Sequence, residues 1–341
     1  MKWAAPLFAV LGILACLSCQ TFSYYGQMLS GHLEVMTKAE PISEVLADPT
    51  TPPDTAKALR TVGKVREFAA AELGLPSGRA YTRYTDLKRE HVVWVLNASN
   101  EFSVEPKTWF YPVVGRLSYR GYYDEQKAEA AADRLRAEGF ETYVAGINAY
   151  STLGWFADPV LNTFIDYHEL LLAELIIHEL VHRRYYRRGA TAFNEALAMA
   201  VAEEGVRRWL RTRKEPKLLA AYERYLKRRN DLYDDILTTR DELAALYAQP
   251  LPEDEMRARK TVRLLELQRE FLHWQARWKT SALEDWTTEP LTNAHLNAAN
   301  TYYRHIPFFQ KLLEDCDGDL EQFFDRVKSA ELPQDSPQQP R

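Results

Sequence analysis

An HExxH motif spans His178 to His182, in the order His178-Glu179-Leu180-Val181-His182. On a helix, side chains at positions i and i+4 lie on one face, so both imidazoles can bind the same zinc ion. Glu179 points about 100° away around the helix, where it can act as a general base on a water molecule. The pattern therefore predicts a hydrolytic zinc site. The alternative, two histidines bridging a core and a surface, is costly without a metal or other partners.

A catalytic zinc site needs a third protein ligand and one open coordination position. We expect the first helix to continue to Arg188 and to end at Gly189, and a second helix to begin with Thr191 as its N-cap. From His182 the chain then runs about 9 Å outward and returns about 5–6 Å, which brings Glu195 within reach of the metal. The sequence thus predicts a His-His-Glu site with one Zn²⁺ ion.

Other roles for the residues near Glu195 remain open. Glu195 itself could be a solvated glutamate favoured by the helix dipole. Glu203 and Glu204 follow on the same helix, and Glu203 lies about 80° from Glu195, so it is expected to support a ligand rather than to be one. Asn194 could orient a ligand or simply cap the helix.

Two further features could serve catalysis. An extended edge strand before a metal helix can hold a substrate backbone by strand addition. We assign that role to Tyr150, Ser151, Thr152, Leu153 and Gly154, although a turn with packed aromatic rings is the alternative. The developing oxyanion also needs an electrophile. Tyr302 is the first candidate and His305 the second, although either could simply pack in the core or on the surface.

The elements that must position these residues are mainly helical. Residues 20–75 predict two helices separated by the Thr50–Pro53 break. Short β-branched and aromatic runs at 91–96, 108–114 and 141–145 predict strands, with a helix over 124–138 before the last one. Residues 210–285 predict two helices joined near Pro250. The fold class is therefore α+β, mainly helical, with a small mixed β-sheet upstream of the HExxH helix and a long antiparallel helical hairpin.

These elements divide the chain into five predicted parts. They are a lipoprotein-type signal peptide over 1–19, an N-terminal helical segment over 20–79, an α/β metallopeptidase core over 80–210, a C-terminal hairpin with closing helices over 211–329, and a disordered tail over 330–341.

Composition narrows the class of protein but does not indicate a function. The chain has 341 residues, of which 46% are hydrophobic and 27% charged, with a net charge of −5. With 14 Gly, 17 Pro and 3 Cys, collagen-like, disulfide-rich and disordered classes are excluded. Bulk electrostatics give no reason to propose a nucleic-acid partner.

The N-terminus predicts export and a lipid anchor. After Met1-Lys2, the chain is uncharged and mostly apolar up to Cys19, which is too short for a comfortable membrane span and typical of a secretory signal. Small residues before a cysteine favour a bacterial lipoprotein signal, with Cys16 or Cys19 as the lipidated residue. A plain signal peptide or anchor is the alternative. Cleavage leaves Cys316 without an intramolecular disulfide partner.

Several segments together resemble the bacterial family of predicted zinc aminopeptidases. The similar segments are Cys19–Tyr25, Glu105–Trp109, Tyr119–Tyr122, Ala149–Phe156, His178–Glu195, Ala299–Tyr302 and Ile306-Pro307. The resemblance implies a gluzincin-type metallopeptidase, with His178, His182 and Glu195 on zinc and Glu179 as base. It also favours lipidation at Cys19 over Cys16. A cysteine pair common in the family is replaced here by Phe110 and Arg116, so that disulfide is absent.

These observations lead to one functional hypothesis and two alternatives. We expect a zinc aminopeptidase that acts on a peptide or protein substrate. The sequence lacks a motif known to recognise a free amine, so an envelope endopeptidase is an alternative, as is a non-catalytic, zinc-stapled interaction protein. The lipid anchor implies a membrane partner and a periplasm-facing location in the cell envelope. In enteric bacteria an aspartate after the lipidated cysteine commonly signals retention in the inner membrane. Position 20 is a glutamine instead, which favours the outer membrane.

Overall fold

The computed structural model describes residues 24–111, 115–149, 157–280 and 283–333. The helices are α1 (24–37), α2 (Ile42–Ala47), α3 (Pro53–Glu72), α4 (Glu125–Ala137), α5 (Asn162–Ile165), α6 (Glu169–Arg184), α7 (Thr191–Thr212), α8 (Pro216–Tyr247), α9 (Glu253–Trp278), α10 (Glu284–Thr287), α11 (Asn293–Tyr303), α12 (Ile306–Glu314) and α13 (Leu320–Val327). The strands are β1 (Glu40–Pro41), β2 (Arg83–Thr85), β3 (Val93–Asn100), β4 (Trp109–Tyr111), β5 (Gly115–Leu117), β6 (Arg120–Tyr122), β7 (Phe140–Ile147) and β8 (Val160–Leu161).

The strands form three small sheets. One has the order β6-β3-β7 and is antiparallel throughout, one has the order β1-β2-β8 with β2 and β8 parallel, and β4 pairs with β5. All the described strands precede α6 in the chain. The prediction of a mainly helical α+β protein with small sheets before the HExxH helix is therefore confirmed.

The predicted helices and strands agree with the structure in kind, with local differences. The N-terminal region contains α1, α2 and α3 rather than two helices, and α3 begins at Pro53. Helix α4 begins where the Asp124 side chain accepts a hydrogen bond from the Lys127 backbone N–H, and Gly139, with φ +89°, follows its end. The hairpin is also confirmed, because α8 and α9 pack against each other across the break at 248–252.

Helix α6 lies at the centre of the largest apolar core, packed between α3 and α7. It is apolar on nearly all sides, as expected of a buried helix. The close approach of α7 depends on Gly205, because a Cβ there would lie 2.9 Å from Leu73 Cδ1 and 3.0 Å from Ile177 Cδ1. Since Ile177 precedes His178 directly, this packing fixes the distance between the two helices at the HExxH motif.

Two further apolar clusters surround the main core. One lies where α8 and α9 meet α11, and the other lies where α4 packs on one face of β3. Helix α11 also contacts β3 and β7. None of the helices in the described ranges combines the length and apolar character needed to cross a bilayer. Cys316 is buried and free.

Candidate metal centre

His178 and His182 lie on one face of α6, as their spacing predicts. Their Nε2 atoms are 3.1 Å apart, and both side chains are buried. Among the described residues, neither Nδ1 atom has a hydrogen-bond partner. Each imidazole therefore presents its Nε2 atom to the same point, which is the arrangement that a shared metal ion requires.

Glu195 completes this group from α7. Its Oε2 atom lies 3.2 Å from His178 Nε2 and 3.5 Å from His182 Nε2. The three ligand atoms lie within 4.8 Å of one another and could hold one metal ion. Neutral imidazole nitrogen and carboxylate oxygen are donors that fit such an ion. The structure therefore brings together the three residues that the sequence predicted as ligands.

The segment that joins α6 to α7 differs from the prediction. Helix α6 ends at Arg184 rather than at Arg188, because the backbone at Tyr185 is extended. The Arg187 guanidinium is drawn away to the end of α13, where it donates to the carbonyls of Val327 (3.2 Å) and Ala330 (2.9 Å). Tertiary contacts therefore outweigh the helical tendency of this segment.

The start of α7 also differs from the prediction. Ala190 is the N-cap, and Thr191 is the first helical residue. Asn194 holds the connection instead: its Oδ1 accepts from the Arg187 backbone N–H and its Nδ2 donates to the Arg187 carbonyl, both at 2.8 Å. Asn194 is buried, so it fixes the loop immediately beside Glu195.

Glu179 is buried, and its Oε2 atom has no hydrogen-bond partner among the described residues. Burial raises the pKa of Glu179, and the negative charge of Glu195 adds to this effect, while the two imidazoles oppose it. A buried carboxylate with an unused oxygen next to the His-His-Glu group is available for proton transfer.

The electrostatics of the ligand group agree with its geometry. Burial alone would raise the pKa of Glu195, but His182 and His178 outweigh it, and the pKa falls well below its usual value. Burial likewise opposes the charged form of His182, yet Glu195 raises the pKa of His182. The carboxylate is therefore held in its anionic form, which is the form that binds a metal.

Neither of the rival glutamates approaches the ligand group. Glu203 is fully buried and forms an ion pair with Arg229, while Gln310 Nε2 donates to it at 2.8 Å. Glu204 pairs with Arg208 at 2.9 Å. Both carboxylates are thus committed to helix packing around α7.

The group opens into a cavity of about 890 Å³. Its described lining is largely apolar and aromatic and includes Tyr24, Met28, Val93, Val95, Tyr111, Leu117, Tyr119, Tyr123, Ile147, Tyr167, Leu171, Leu175, Tyr186, Met199 and Tyr225. The end of β7 and the following residues, over 146–149, form part of the wall. In the described residues β7 pairs only with β3, so its other edge has no strand beside it. The cavity suits an apolar, extended ligand.

Two tyrosines of the cavity were not assigned a role from the sequence. Tyr119 is half-buried; burial raises its pKa, and the negative charges of Glu195 and Glu179 contribute. Tyr186 packs near His182, with ring centroids 6.4 Å apart, and burial and Glu195 raise its pKa as well. Tyr186 follows His182 by four residues, so the helix expected to continue to Arg188 would have placed both side chains on the same face. Tyr119 begins the family-like segment Tyr119–Tyr122, but no local pattern placed it in the site, because it arrives from the β5–β6 connection.

The remaining predicted residues are not tested by the described structure. Tyr150, Ser151, Thr152, Leu153 and Gly154 lie outside the described residues, as do Cys16, Cys19 and the tail over 334–341. Tyr302 is described only through its backbone, within α11. His305 is the N-cap residue of α12 and is not among the described residues that line the cavity.

Comparison with known proteins identifies one family. The sequence model of one family, described as "Putative aminopeptidase", matches residues 23–339. No curated protein and no solved structure is matched by the chain. The family match supports a peptidase function and a peptide or protein substrate. Because the match spans nearly the whole chain, including the His-His-Glu group and the cavity, the chain belongs to this aminopeptidase family.

Proposed function

We propose that the protein is a zinc-dependent aminopeptidase whose single zinc ion is bound by His178, His182 and Glu195. The observation that carries the proposal is the convergence of these three ligand atoms beside the unpartnered Oε2 of Glu179. Two imidazole nitrogens and one carboxylate oxygen are a typical donor set of catalytic zinc and leave one position open. A site that only staples two helices would have no use for the additional carboxylate of Glu179.

Glu179 is the general base of the proposed reaction. When bound, zinc lowers the pKa of a water molecule and polarises the scissile carbonyl. Glu179 takes the proton from that water and passes it to the leaving amine. Its raised pKa supports this role, because a base that must give the proton back works best when its pKa is closer to the operating pH.

Tyr119 is the group that we propose as the donor to the developing oxyanion, in place of Tyr302. It lines the same cavity, and it responds electrostatically to both Glu195 and Glu179, whereas Tyr186 responds to Glu195. A tyrosine hydroxyl is protonated at neutral pH even at its ordinary pKa of about 10, and the raised pKa of Tyr119 is consistent with its role as a hydrogen-bond donor.

The substrate backbone is proposed to lie along the free edge of β7. This edge ends at Ile147, and Gly146 to Ala149 line the cavity. Strand addition would satisfy the main-chain groups of an extended peptide, while the apolar walls would take its side chains. The predicted edge at 150–154 continues directly from this segment.

The test is the metal content and the hydrolytic activity of the soluble chain that begins at Gln20. We expect about one zinc per wild-type chain, little in Glu195→Ala, and full occupancy in the control Glu204→Ala, whose carboxylate pairs with Arg208 instead. Zinc removal should abolish hydrolysis of aminoacyl substrates, and zinc addition should restore it. Full occupancy in Glu195→Ala would show that the ligand assignment is wrong, and a metal-free wild type after reloading would remove the enzyme proposal.

The location of the protein is a further part of the proposal: lipid on Cys19 holds it at the periplasmic face of the outer membrane. Helix α1 begins within five residues of Cys19, and Tyr25, Leu29 and Leu33 lie four residues apart on an exposed apolar stripe. Such a stripe close to a lipid anchor is suited to a membrane surface. Cys19→Ser should move the protein from the detergent phase to the aqueous phase, while Cys16→Ser should not.

A further inference from the structure

Glu174 is a third cavity carboxylate, and the proposed chemistry leaves it unused. It lies on α6 one helical turn before His178, about 6 Å along the axis, and it lines the same cavity. Among the described lining residues, the only other carboxylates are Glu179 and Glu195. Glu174 is 8% exposed, so its remaining access is through the cavity.

The partners of Glu174 leave an excess of negative charge. Arg229 Nη1 donates to its Oε1 at 2.6 Å, and the Tyr222 hydroxyl donates to its Oε2. The same guanidinium donates through Nη2 to Glu203, so one arginine is shared by two carboxylates. A second cation, Arg207, lies 3.8 Å from Glu203 but pairs more closely with Glu223, at 2.9 Å.

Glu174, which is the member of this ion-pair network that lines the cavity, can therefore still bind a cation. A carboxylate has about four acceptor positions, and the contacts with Arg229 and Tyr222 use two of those on Glu174. The described cavity lining contains no lysine or arginine. The Tyr225 ring also lines the cavity and already holds the Arg229 guanidinium 5.4 Å from its centre, as expected of an aromatic face that attracts cations. The charge of Glu174 and its unused acceptor positions favour an ammonium group here over a neutral group.

The position of Glu174 relates this site to the metal centre. In a peptide, the α-ammonium group sits about two bonds from the first carbonyl carbon, so it lies roughly 2.5 Å from the reacting atom. A substrate whose carbonyl faces His178 and His182 therefore carries its ammonium group within the reach of a side chain one turn away. We propose that Glu174 binds the α-ammonium group of the N-terminal residue of the substrate. This inference rests on the proposed aminopeptidase function and assigns the residue that would give the enzyme its preference for a free N-terminus.

The experiment compares Glu174→Gln with Glu203→Gln. Both changes remove one buried carboxylate from the same arginine, but Glu203 is not among the described lining residues, which makes it a matched control. Each zinc-loaded variant is assayed with phenylalanyl and leucyl amidocoumarins and with internally quenched peptides bearing an N-acetyl group. Zinc content and thermal unfolding are measured in parallel.

We expect Glu174→Gln to raise KM for the free-amine substrates at least tenfold, so that the preference for free-amine over N-acetyl substrates falls by a similar factor. Glu203→Gln should leave the ratio between the two substrate types unchanged. If Glu174→Gln and Glu203→Gln alter both substrate types by the same factor, Glu174 has only a structural role and the proposal is wrong. Equal KM values of wild type and Glu174→Gln for free-amine substrates would also overturn it, while the peptidase function would stand.

A binding measurement decides the matter if no substrate is hydrolysed. Ligand-observed NMR on the metal-free chain compares phenylalaninamide with N-acetyl-phenylalaninamide. Binding of the free amine by wild type and by Glu203→Gln, with a loss of at least tenfold in Glu174→Gln, would support the ammonium site even though the proposed enzymatic function had failed. The same affinity in all three proteins, or no preference for the free amine, would overturn it.

Discussion

His178 and Glu195 are separated by 16 intervening residues, yet His178 Nε2 and Glu195 Oε2 lie 3.2 Å apart. The two residues come from different helices, and the distance is set by the loop between α6 and α7 and by the packing of Gly205 against Ile177. The candidate metal-binding group therefore depends on how two helices pack as much as on which residues they carry.

Replacing Glu179 by Gln separates metal binding from hydrolysis. Because Glu179 is not one of the three converging ligands, the variant should keep about one zinc per chain. The loss of the base should lower kcat by about 10²–10⁴-fold. Zinc content and kcat are measured on the same preparation, and Glu204→Gln is the control. A variant that retained wild-type kcat would exclude Glu179 as the base.

Replacing Asn194 by Ala tests the loop that places Glu195. The change removes both hydrogen bonds to the Arg187 backbone and should cost about 2 kcal/mol in the free energy of unfolding. Since the freed loop lies next to Glu195, zinc affinity should also fall by about 10–100-fold. Denaturant unfolding and competition with a zinc chelator measure the two effects. An unchanged zinc affinity would show that helix packing alone positions Glu195.

Replacing Tyr119 by Phe tests the proposed oxyanion donor. Removal of one such donor should lower kcat by about 10²–10³-fold, with little change in KM, because the hydrogen bond forms in the transition state. Tyr186→Phe removes a hydroxyl from the same cavity and is the matched control, expected to have a much smaller effect. If Tyr186→Phe had the larger effect, the two assignments would have to be exchanged.

His295 should make the stability of the protein depend on pH. Burial lowers its pKa from 6.5 to about 4, so between these values the unfolded chain binds a proton that the folded chain does not. Stability therefore rises with pH across this window and is lost on acidification. At pH 5 the loss relative to pH 8 should be about 2 kcal/mol.

The matched variant for this prediction is His295→Gln. His295 Nδ1 accepts from the Thr292 backbone N–H at 3.1 Å in a capping box, and glutamine can make the same contact without titrating. Urea unfolding at pH 8 and pH 5 should show a smaller acid-induced loss in His295→Gln than in wild type. An equal loss in both proteins would assign the pH dependence to other groups.

Local sequence patterns were sufficient for the parts of the site that lie on one helix. The i, i+4 spacing of His178 and His182 fixed their common face, since helix geometry is the same in any context. The apolar run before them predicted a buried helix, and the Pro-marked break predicted the α8–α9 hairpin. Glu195 could also be predicted, because only a short loop separates α7 from α6.

Only the tertiary structure decided where α6 ends and which side chains line the cavity at the candidate metal centre. Residues 185–188 leave the helix because Asn194 and the end of α13 hold Arg187, which are contacts that helical propensity does not contain. Tyr119 stood in a family-like segment, but only tertiary packing brings the β5–β6 connection to the cavity. Glu174 is one of three glutamates on α6, and its contacts with α8 depend on the packing of the two helices. The sequence by itself determined the ligand types and their spacing; long-range packing determined the cavity around them, because buried contacts between distant segments outweigh local preference.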